Sequence, residues 1–179
     1  ALDDYRKAAD RNPHLIQIRE VIETDHQIMI FMELADAIEK EPYRPKTLAS
    51  MLAVKEKLTT REALTIAKGC LIGLESLHAN KLIHRDVKPS NILFVGGQSK
   101  IADPGLVSPM GFGRHGQGTV GFVPTKCELP DASHDLFAIG RLLYVMLTGF
   151  APYKYPFLPV IKQTSARVPM EIAANHIMN

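Results

Sequence analysis

The feature that most constrains the fold of this chain is a polar segment followed at once by a predicted β-hairpin. Asp86, Lys88 and Asn91 place a carboxylate, an ammonium group and a carboxamide within six residues. Two short apolar runs joined by a pair of glycines come next, which is typical of two strands and a tight turn. A second acid, Asp103, follows soon after. This order indicates a catalytic loop, a strand, a hairpin turn, a second strand and a metal-binding acid.

The residue types in this stretch are those that phosphoryl transfer requires. That reaction needs a base for the incoming hydroxyl group, a cation near the moving phosphoryl group and two ligands for Mg²⁺. Asp86 is the candidate base or orienting group, and Lys88 is the candidate cation. Asn91 and Asp103 offer the hard oxygen atoms that Mg²⁺ prefers. The stretch therefore predicts Mg²⁺ as a cofactor of a phosphoryl-transfer reaction.

The segment from His84 to Asn91 resembles the catalytic loop of protein kinases, and Lys88 matches the serine/threonine-specific form. The resemblance covers nearly the whole chain, from the family's helix C to about its helix H. It implies an α+β, protein-kinase-like fold, with ATP and Mg²⁺ as the cofactors. Residues 1–34 would be a remnant of the N-terminal β-sheet lobe, and residues 35–179 a mainly helical C-terminal lobe with the catalytic loop and activation segment. Further segments that resemble the family are Asn12–Ile16, Met29–Leu34, Gly118–Phe122, Asp135–Gly140 and Leu147–Gly149.

The resemblance also implies site residues outside the loop. The hinge between the lobes follows Met32, so adenine would be recognised by the Glu33 carbonyl and the Ala35 amide, with Lys88, Asn91 and Asp103 completing the nucleotide and metal set. Thr119 would hydrogen-bond to Asp86 and Lys88 and is counted with them as catalytic.

Three further residues are expected to have structural or regulatory roles. Asp135 would be buried and would hold the backbone of the catalytic loop, and His84 would be structural rather than a base. Arg85 in the family meets a phosphorylated residue, and Ser108 is the only obvious candidate before Thr119. Activation by phosphorylation is therefore weakly supported.

The chain departs from the family pattern in three places. Pro104 replaces the phenylalanine after the metal-binding acid, which fixes φ and removes an N–H group and the aromatic packing. Pro124-Thr125-Lys126 stands where the family has a triplet ending in Glu. No glycine-rich loop or phosphate-binding lysine precedes residue 12, so we expect sequence to be missing upstream; Asp3 and Asp4 lie where the helix C glutamate belongs.

Two matches to known motifs are rejected on their context. The stretch from Gly111 to Gly116 is a literal G-x-G-x-x-G, but it follows the metal-binding acid, so we interpret it as part of a loop. Residues 53–55 resemble the strand that carries the phosphate-binding lysine but lie after the hinge, so Lys55 is predicted to be a surface residue. The seven histidines show no ligand spacing typical of zinc.

Composition indicates one ordinary globular domain. The chain has 179 residues, of which 46% are hydrophobic and 22% charged. Its net charge of +2 gives no support for a nucleic-acid partner. The longest apolar run, from Leu136 to Leu147, is too short to cross a membrane, and Cys70 and Cys127 imply no disulfide framework. A reducing, cytoplasmic setting is predicted, with a Ser/Thr-containing protein as partner and the oligomeric state open.

Periodicity predicts the main elements. A helix is expected over residues 2–11, strands around Leu15–Ile22 and Ile28–Met32, and a proline-punctuated loop over Glu41–Pro45. Thr59 and Glu62 form a capping box that opens a helix to about Ala79, with Ala63, Ala67, Cys70, Leu71, Leu74 and Leu77 on its core face. A helix from about Ser133 to Leu147 is apolar almost all round and is expected to lie at the buried centre.

The sequence favours a serine/threonine protein kinase, of which these 179 residues alone are expected to be inactive. The alternative is a pseudokinase or truncated kinase that acts as a regulatory binding or scaffold module, which Pro104, Lys126 and the missing lobe favour. A small-molecule kinase of related fold is the third possibility, although Lys88 and the Gly118-Thr119 pair match the protein-kinase form better.

Overall fold

The computed structural model describes residues 2–112, 117–124 and 130–158. These residues form four α-helices and eight short strands, so the predicted α+β class is confirmed. Each strand pairs with one other in an antiparallel two-stranded sheet, in the combinations β1–β2, β3–β4, β5–β8 and β6–β7. The helices are α1 (Leu2–Ala9), α2 (Leu48–Lys55), α3 (Thr60–Ala79) and α4 (Ala132–Thr148), and the strands are β1 (Ile18–Glu23), β2 (Ile28–Met32), β3 (Ala37–Lys40), β4 (Tyr43–Pro45), β5 (Leu82–Ile83), β6 (Ile92–Val95), β7 (Gln98–Ile101) and β8 (Ser108–Pro109).

Helix α3 begins as the sequence predicts. The Thr59 hydroxyl accepts from the Glu62 amide, and the Glu62 carboxylate accepts from the Thr59 amide, which completes the capping box. The predicted core face is buried except at Leu71, which is 41% exposed, so that assignment is wrong. Ile66 is buried instead, because it precedes Cys70 by one turn on the face that meets the core.

Two glycines on α3 allow the segment before β1 to approach closely. A Cβ atom at Gly69 would lie 2.7 Å from His14 Nδ1, and one at Gly73 would lie 2.8 Å from the His14 carbonyl oxygen. Larger residues at either position would therefore push this segment away from α3.

One apolar core joins the helices to the hairpins. It includes Tyr5 of α1, Leu74 of α3, Ile101 of β7 and Leu142 of α4, all of which are buried. The Tyr5 hydroxyl donates to the Ile16 carbonyl oxygen, which joins α1 to the segment before β1. The core therefore includes residues on both sides of residue 34. The predicted division of the chain into two lobes after residue 34 stays a prediction.

Helix α4 is capped at both ends. Asp131 caps its N-terminus through the Ser133 amide, and Gly149 ends it with a φ of 73°. The expectation that α4 lies at the buried centre holds for only part of its surface, because Leu136 is 50% and Leu147 39% exposed. Among the described elements α4 packs chiefly against α3, and Ala138, Leu142 and Met146 are buried.

The β6–β7 hairpin is confirmed and places the two predicted metal ligands side by side. Ile92 pairs with Ile101, and the Ala102 amide donates to the Asn91 carbonyl oxygen, so Asn91 lies beside the residue that precedes Asp103. Gly96 and Gly97 both have positive φ in the turn, where their amides donate to the Asp36 carboxylate.

The predicted loop over Glu41–Pro45 is correct only for the turn at residues 41 and 42, because Tyr43–Pro45 form β4, which pairs with β3 in a hairpin. Both strands are exposed throughout, so no alternation of apolar and polar residues indicates them. The helix that follows, α2, was also not predicted. Its capping box pairs Thr47 with Ser50 rather than with Glu or Gln.

Several predictions lie outside the described residues. They concern the last part of the G-x-G-x-x-G stretch, Thr125 and Lys126 of the altered triplet, Cys127, and the helical pieces beyond residue 158. Among the described helices, none has the length and apolar character that a membrane span requires.

Candidate catalytic and nucleotide-binding site

The loop between β5 and β6 is fixed by one buried acid from α4. Asp135 is fully buried, and its two carboxylate oxygens accept from the backbone amides of His84 and Arg85, each at 2.9 Å. His78 Nε2 lies 2.8 Å from the same carboxylate. Burial raises the pKa of Asp135, but these hydrogen bonds and the charge effect of His84 outweigh it, so its pKa is below the usual value. The expected structural role of Asp135 is thus present in the structure.

His78 was missed by the sequence interpretation. It lies in the last turn of α3, 57 residues before Asp135, and belongs to no local motif. Only its place four residues after the buried Leu74, on the same face of the helix, could have suggested that it faces the core.

The four polar residues predicted to act together do converge. Lys88 Nζ lies 2.7 Å from Asp86 Oδ2 and 2.9 Å from Thr119 Oγ1, and the Thr119 hydroxyl donates to Asp86 Oδ1 at 2.7 Å. Asn91 Nδ2 donates to Asp86 Oδ2 at 3.0 Å and to the Asp86 carbonyl oxygen at 2.9 Å. Both oxygens of the Asp86 carboxylate are therefore engaged, and the hydrogen bonds predicted for Thr119 are present.

These donors decide the protonation state of Asp86. Burial raises the pKa of its carboxyl group, but the hydrogen bonds from Lys88 and Thr119 and the charge of Lys88 outweigh burial, so the pKa lies below its usual value. Asp86 is therefore ionised at neutral pH. It can accept a hydrogen bond from a hydroxyl group, as an orienting group and a weak base.

Gly118 allows Thr119 to reach the loop. Its φ is 124°, and a Cβ atom there would lie 2.5 Å from the Arg85 carbonyl oxygen and 2.7 Å from Val123 Cγ2. A side chain at this position would thus meet the backbone of the catalytic loop, which explains why a glycine precedes Thr119.

Asn91 and Asp103 have the chemistry of a Mg²⁺ site. The Asn91 amide nitrogen is turned to Asp86, which leaves its Oδ1 as the acceptor for a ligand or for the Ser90 hydroxyl at 3.4 Å. Asp103 is exposed, and its Oδ1 accepts only a 3.3 Å hydrogen bond from the Gly105 amide among the described residues. One carboxylate and one amide oxygen, carried by neighbouring backbone segments, fit an ion that takes few protein ligands.

His84 has the structural position that was expected, whereas the role of Arg85 toward a phosphorylated residue stays a prediction. His84 is fully buried, and burial lowers the pKa of its imidazole, which lies 3.0 Å from the Ala102 carbonyl oxygen. Arg85 Nη1 donates to Ser108 Oγ at 3.3 Å, so the candidate phosphorylation site lies beside this guanidinium. That contact alone does not show that Ser108 is phosphorylated.

The predicted adenine-binding residues lie on the segment after β2. Ala35 is buried, and its carbonyl oxygen accepts from the Tyr43 hydroxyl. Glu33 adds a side-chain contact that the sequence did not reveal: its Oε1 accepts from Lys100 Nζ at 2.6 Å and from the Gln17 amide at 2.9 Å. This largely buried ion pair joins the segment to β7, two residues before Ala102. The adenine contacts themselves stay a prediction.

Pro104 is buried in a single 3₁₀ turn that Asp103 opens. Asp103 itself has a left-handed backbone, with φ 63° and ψ 74°, which is uncommon for a residue other than glycine. Its carboxylate accepts from the Gly105 amide, which helps to hold this conformation.

Comparison with known proteins identifies relatives of this arrangement. The family model described as "Protein kinase domain" matches residues 5–172. The SNF1-like protein kinase ssp2 of Schizosaccharomyces pombe is 29% identical over 164 residues, which is 83% of this chain and 26% of the relative. The carbon catabolite-derepressing protein kinase of Candida tropicalis is 28% identical over 84% of this chain and 24% of its own length. Serine/threonine-protein kinase H1 of Homo sapiens is 30% identical over 80% of this chain and 35% of its own length. The chain thus spans about a quarter to a third of these relatives.

Proposed function

We propose that this chain, which belongs to the protein kinase family and resembles its serine/threonine-specific members, is the catalytic portion of a serine/threonine protein kinase. In the proposed reaction the γ-phosphoryl group of ATP is transferred to a Ser or Thr hydroxyl of a protein, and ADP is released. The observation that supports this most is the set of hydrogen bonds that joins Asp86, Lys88, Asn91 and Thr119. A binding module has no physical need for such a set beside two metal-ligand candidates.

Each residue has a role that follows from its contacts. Asp86 is ionised and accepts a hydrogen bond from the incoming hydroxyl group, which orients the hydroxyl oxygen. Asp86 then takes the hydroxyl proton as the new P–O bond forms. Lys88, already held between Asp86 and Thr119, offsets the negative charge of the transferred group. Thr119 fixes the position of both side chains, and Asp135 keeps the loop backbone in place.

Asn91 and Asp103 would hold Mg²⁺, and the Glu33 carbonyl and the Ala35 amide would recognise the adenine ring. When bound, Mg²⁺ supplies positive charge to the phosphate oxygens and fixes their orientation. The ion pair between Glu33 and Lys100 supports the hinge assignment, because it ties the proposed adenine contacts to the strand that leads to Asp103.

A second candidate, a kinase-like binding or scaffold module without transfer activity, is favoured by Pro104. This residue is buried where the family has an aromatic side chain, so the usual packing of that ring does not form. The two candidates differ in one outcome, which is the transfer of phosphate.

The test is transfer from labelled ATP with Mg²⁺ to a generic protein rich in Ser and Thr, using the full-length protein. Asp86→Asn should reduce the rate at least about 100-fold, because general base and orienting groups contribute roughly 10²–10⁴. Asp10→Asn is the matched control, because Asp10 is an exposed residue just after α1 whose carboxylate, among the described residues, makes only a 4.0 Å contact with Arg11. Equal rates for wild type and Asp86→Asn would overturn the proposal. A wild-type protein that is folded but transfers no phosphate would favour the binding module.

A further inference from the structure

A groove on the helical side of the molecule has features of a binding site. It consists of two cavities of about 400 and 560 Å³ that share Lys46 and Met51. The smaller one lies between β3 and α2, and the larger one lies between the start of α3 and the turn of the β6–β7 hairpin. Because the two cavities adjoin at Lys46 and Met51, the groove suits an extended ligand better than a compact one.

The groove exposes apolar side chains at one end. Val54 is 84% exposed and Ile38 is 48% exposed, and both line the smaller cavity beside Met51. Val54 is in the last turn of α2 and Ile38 is in β3, so two elements present apolar surface to the same space. A single apolar side chain of a ligand could be held between them.

The charges of the groove are unbalanced. Among its described lining residues, Lys46, Lys55 and Arg61 are basic and only Glu62 is acidic. Glu62 is fully engaged, because it accepts from Lys55 Nζ at 2.6 Å and from the Thr59 amide and hydroxyl. The hydrogen bond from Lys55 is the largest cause that lowers the pKa of Glu62, to about 2.

Two cations of the groove therefore have no acidic partner among the described residues. Lys46 lies over the Phe94 ring, with Nζ 5.3 Å from its centroid, and Arg61 is an exposed residue in the first turn of α3. Asp36, whose carbonyl oxygen accepts from the Lys46 amide, uses both carboxylate oxygens to accept from the Gly96 and Gly97 amides. A cation at the N-terminal end of a helix is also electrostatically unfavourable, so an added anion would stabilise this region twice.

We propose that this groove binds an extended segment of a protein partner in which acidic residues flank an apolar one. The apolar residue packs between Ile38 and Val54, and the acidic residues meet Lys46 and Arg61. Two unpaired cations are too few to hold a nucleic-acid backbone, whose binding depends on many phosphate contacts. The apolar surface beside the cations also favours a peptide over a nucleic acid.

The groove is separate from the candidate catalytic site. It uses the turn of the β6–β7 hairpin at Gly97, whereas Asn91 and Asp103 lie at the opposite end of the same hairpin, about 13 Å away along four residues of strand. A segment bound in the groove would therefore leave Asp86 accessible. The inference concerns binding alone and does not depend on phosphoryl transfer.

The probe is a displayed library of random twelve-residue peptides, selected on the full-length protein. We expect enriched peptides with acidic residues close to an apolar one. Arg61→Glu should weaken the selected peptides about tenfold, because it replaces an attraction by a repulsion of similar size. This change places an acid in the first turn of α3, which the helix favours, so misfolding would not explain a loss of binding.

Val54→Ser tests the apolar end with little change in helix propensity, and it should weaken the same peptides severalfold. Lys68→Glu is the matched control, because Lys68 is exposed on the same helix α3 but lines a different cavity. The affinity of the Lys68→Glu variant for the selected peptides should equal that of wild type. The proposal is overturned if no peptide is enriched, if the enriched peptides are basic, or if Lys68→Glu weakens binding as much as Arg61→Glu. It is also overturned if a random single-stranded oligonucleotide competes equally and depends on Arg61 in the same way.

Discussion

The catalytic loop and the β1–β2 hairpin are held in opposite ways. The loop from His84 to Asn91 is hydrogen-bonded to Asp135 of α4 and to Thr119, and its polar side chains are largely buried. The β1–β2 hairpin pairs over five residues with a bulge, yet Ile28, Phe31 and Met32 are 56%, 48% and 39% exposed. The geometry proposed for phosphoryl transfer therefore depends on the helical core, whereas the hairpin beside the proposed adenine contacts contributes little burial of its own.

The comparison is tested most severely at Asp135. Asp135→Ala leaves the His84 and Arg85 amides without their acceptor, so we expect a loss of about 3–5 kcal/mol in the free energy of unfolding. Denaturant unfolding measures this loss, with Asp10→Ala as the exposed control. A loss below about 1 kcal/mol would show that the loop does not depend on this acid.

Gly118 tests the same region from the activation segment. Gly118→Ala places a methyl group 2.5 Å from the Arg85 carbonyl oxygen at a positive φ, so the loop or the segment must shift. We expect a loss of roughly 1–3 kcal/mol in unfolding free energy. Gly140→Ala is the control, because a Cβ atom there would meet nothing within 4 Å. Equal stability of the two variants would contradict the close approach.

Lys88 tests the electrostatics of the loop. Because the folded-state pKa of Asp86 lies below its unfolded value, its contribution to stability is present above about pH 4 and is lost as the pH falls through the folded value. Lys88→Met removes a charged hydrogen-bond donor, so the pKa of Asp86 should rise and stability at neutral pH should fall by about 1–2 kcal/mol. Carboxyl NMR titration of both proteins measures the pKa. An unchanged value would contradict the role of Lys88.

The smallest effect is expected in the hairpin. Phe31→Thr keeps a strand-forming residue at a half-exposed position, so the unfolding free energy should change by no more than about 0.5 kcal/mol. Ile101→Val removes one methylene group from the buried core and should cost more, about 1 kcal/mol. The reverse order would remove the contrast between the two regions.

The sequence predicted those parts that are encoded locally. The capping box at Thr59, the glycine turn of the β6–β7 hairpin and the spacing of Asp86, Lys88 and Asn91 are short-range signals, and each has its expected geometry. The contact between Asp86 and Thr119 spans 33 residues and was predicted from family resemblance rather than from spacing.

The missed features lack such a signal. The β3–β4 hairpin is exposed on both faces, so its sequence shows no alternation of apolar and polar residues. The partners His78 and Asp135, and likewise Glu33 and Lys100, are separated by 57 and 67 residues. Only packing of distant elements brings them together, which periodicity in a single sequence does not reveal.

The central claim is that Asp86 and Lys88 act as one unit in phosphoryl transfer. The most direct measurement is the transfer rate of the full-length protein carrying Asp86→Asn, Lys88→Met or both. Because the two side chains share a 2.7 Å hydrogen bond, we predict that the double variant is scarcely slower than the slower single variant. Losses that multiply would mean that the two residues act independently and would contradict the account.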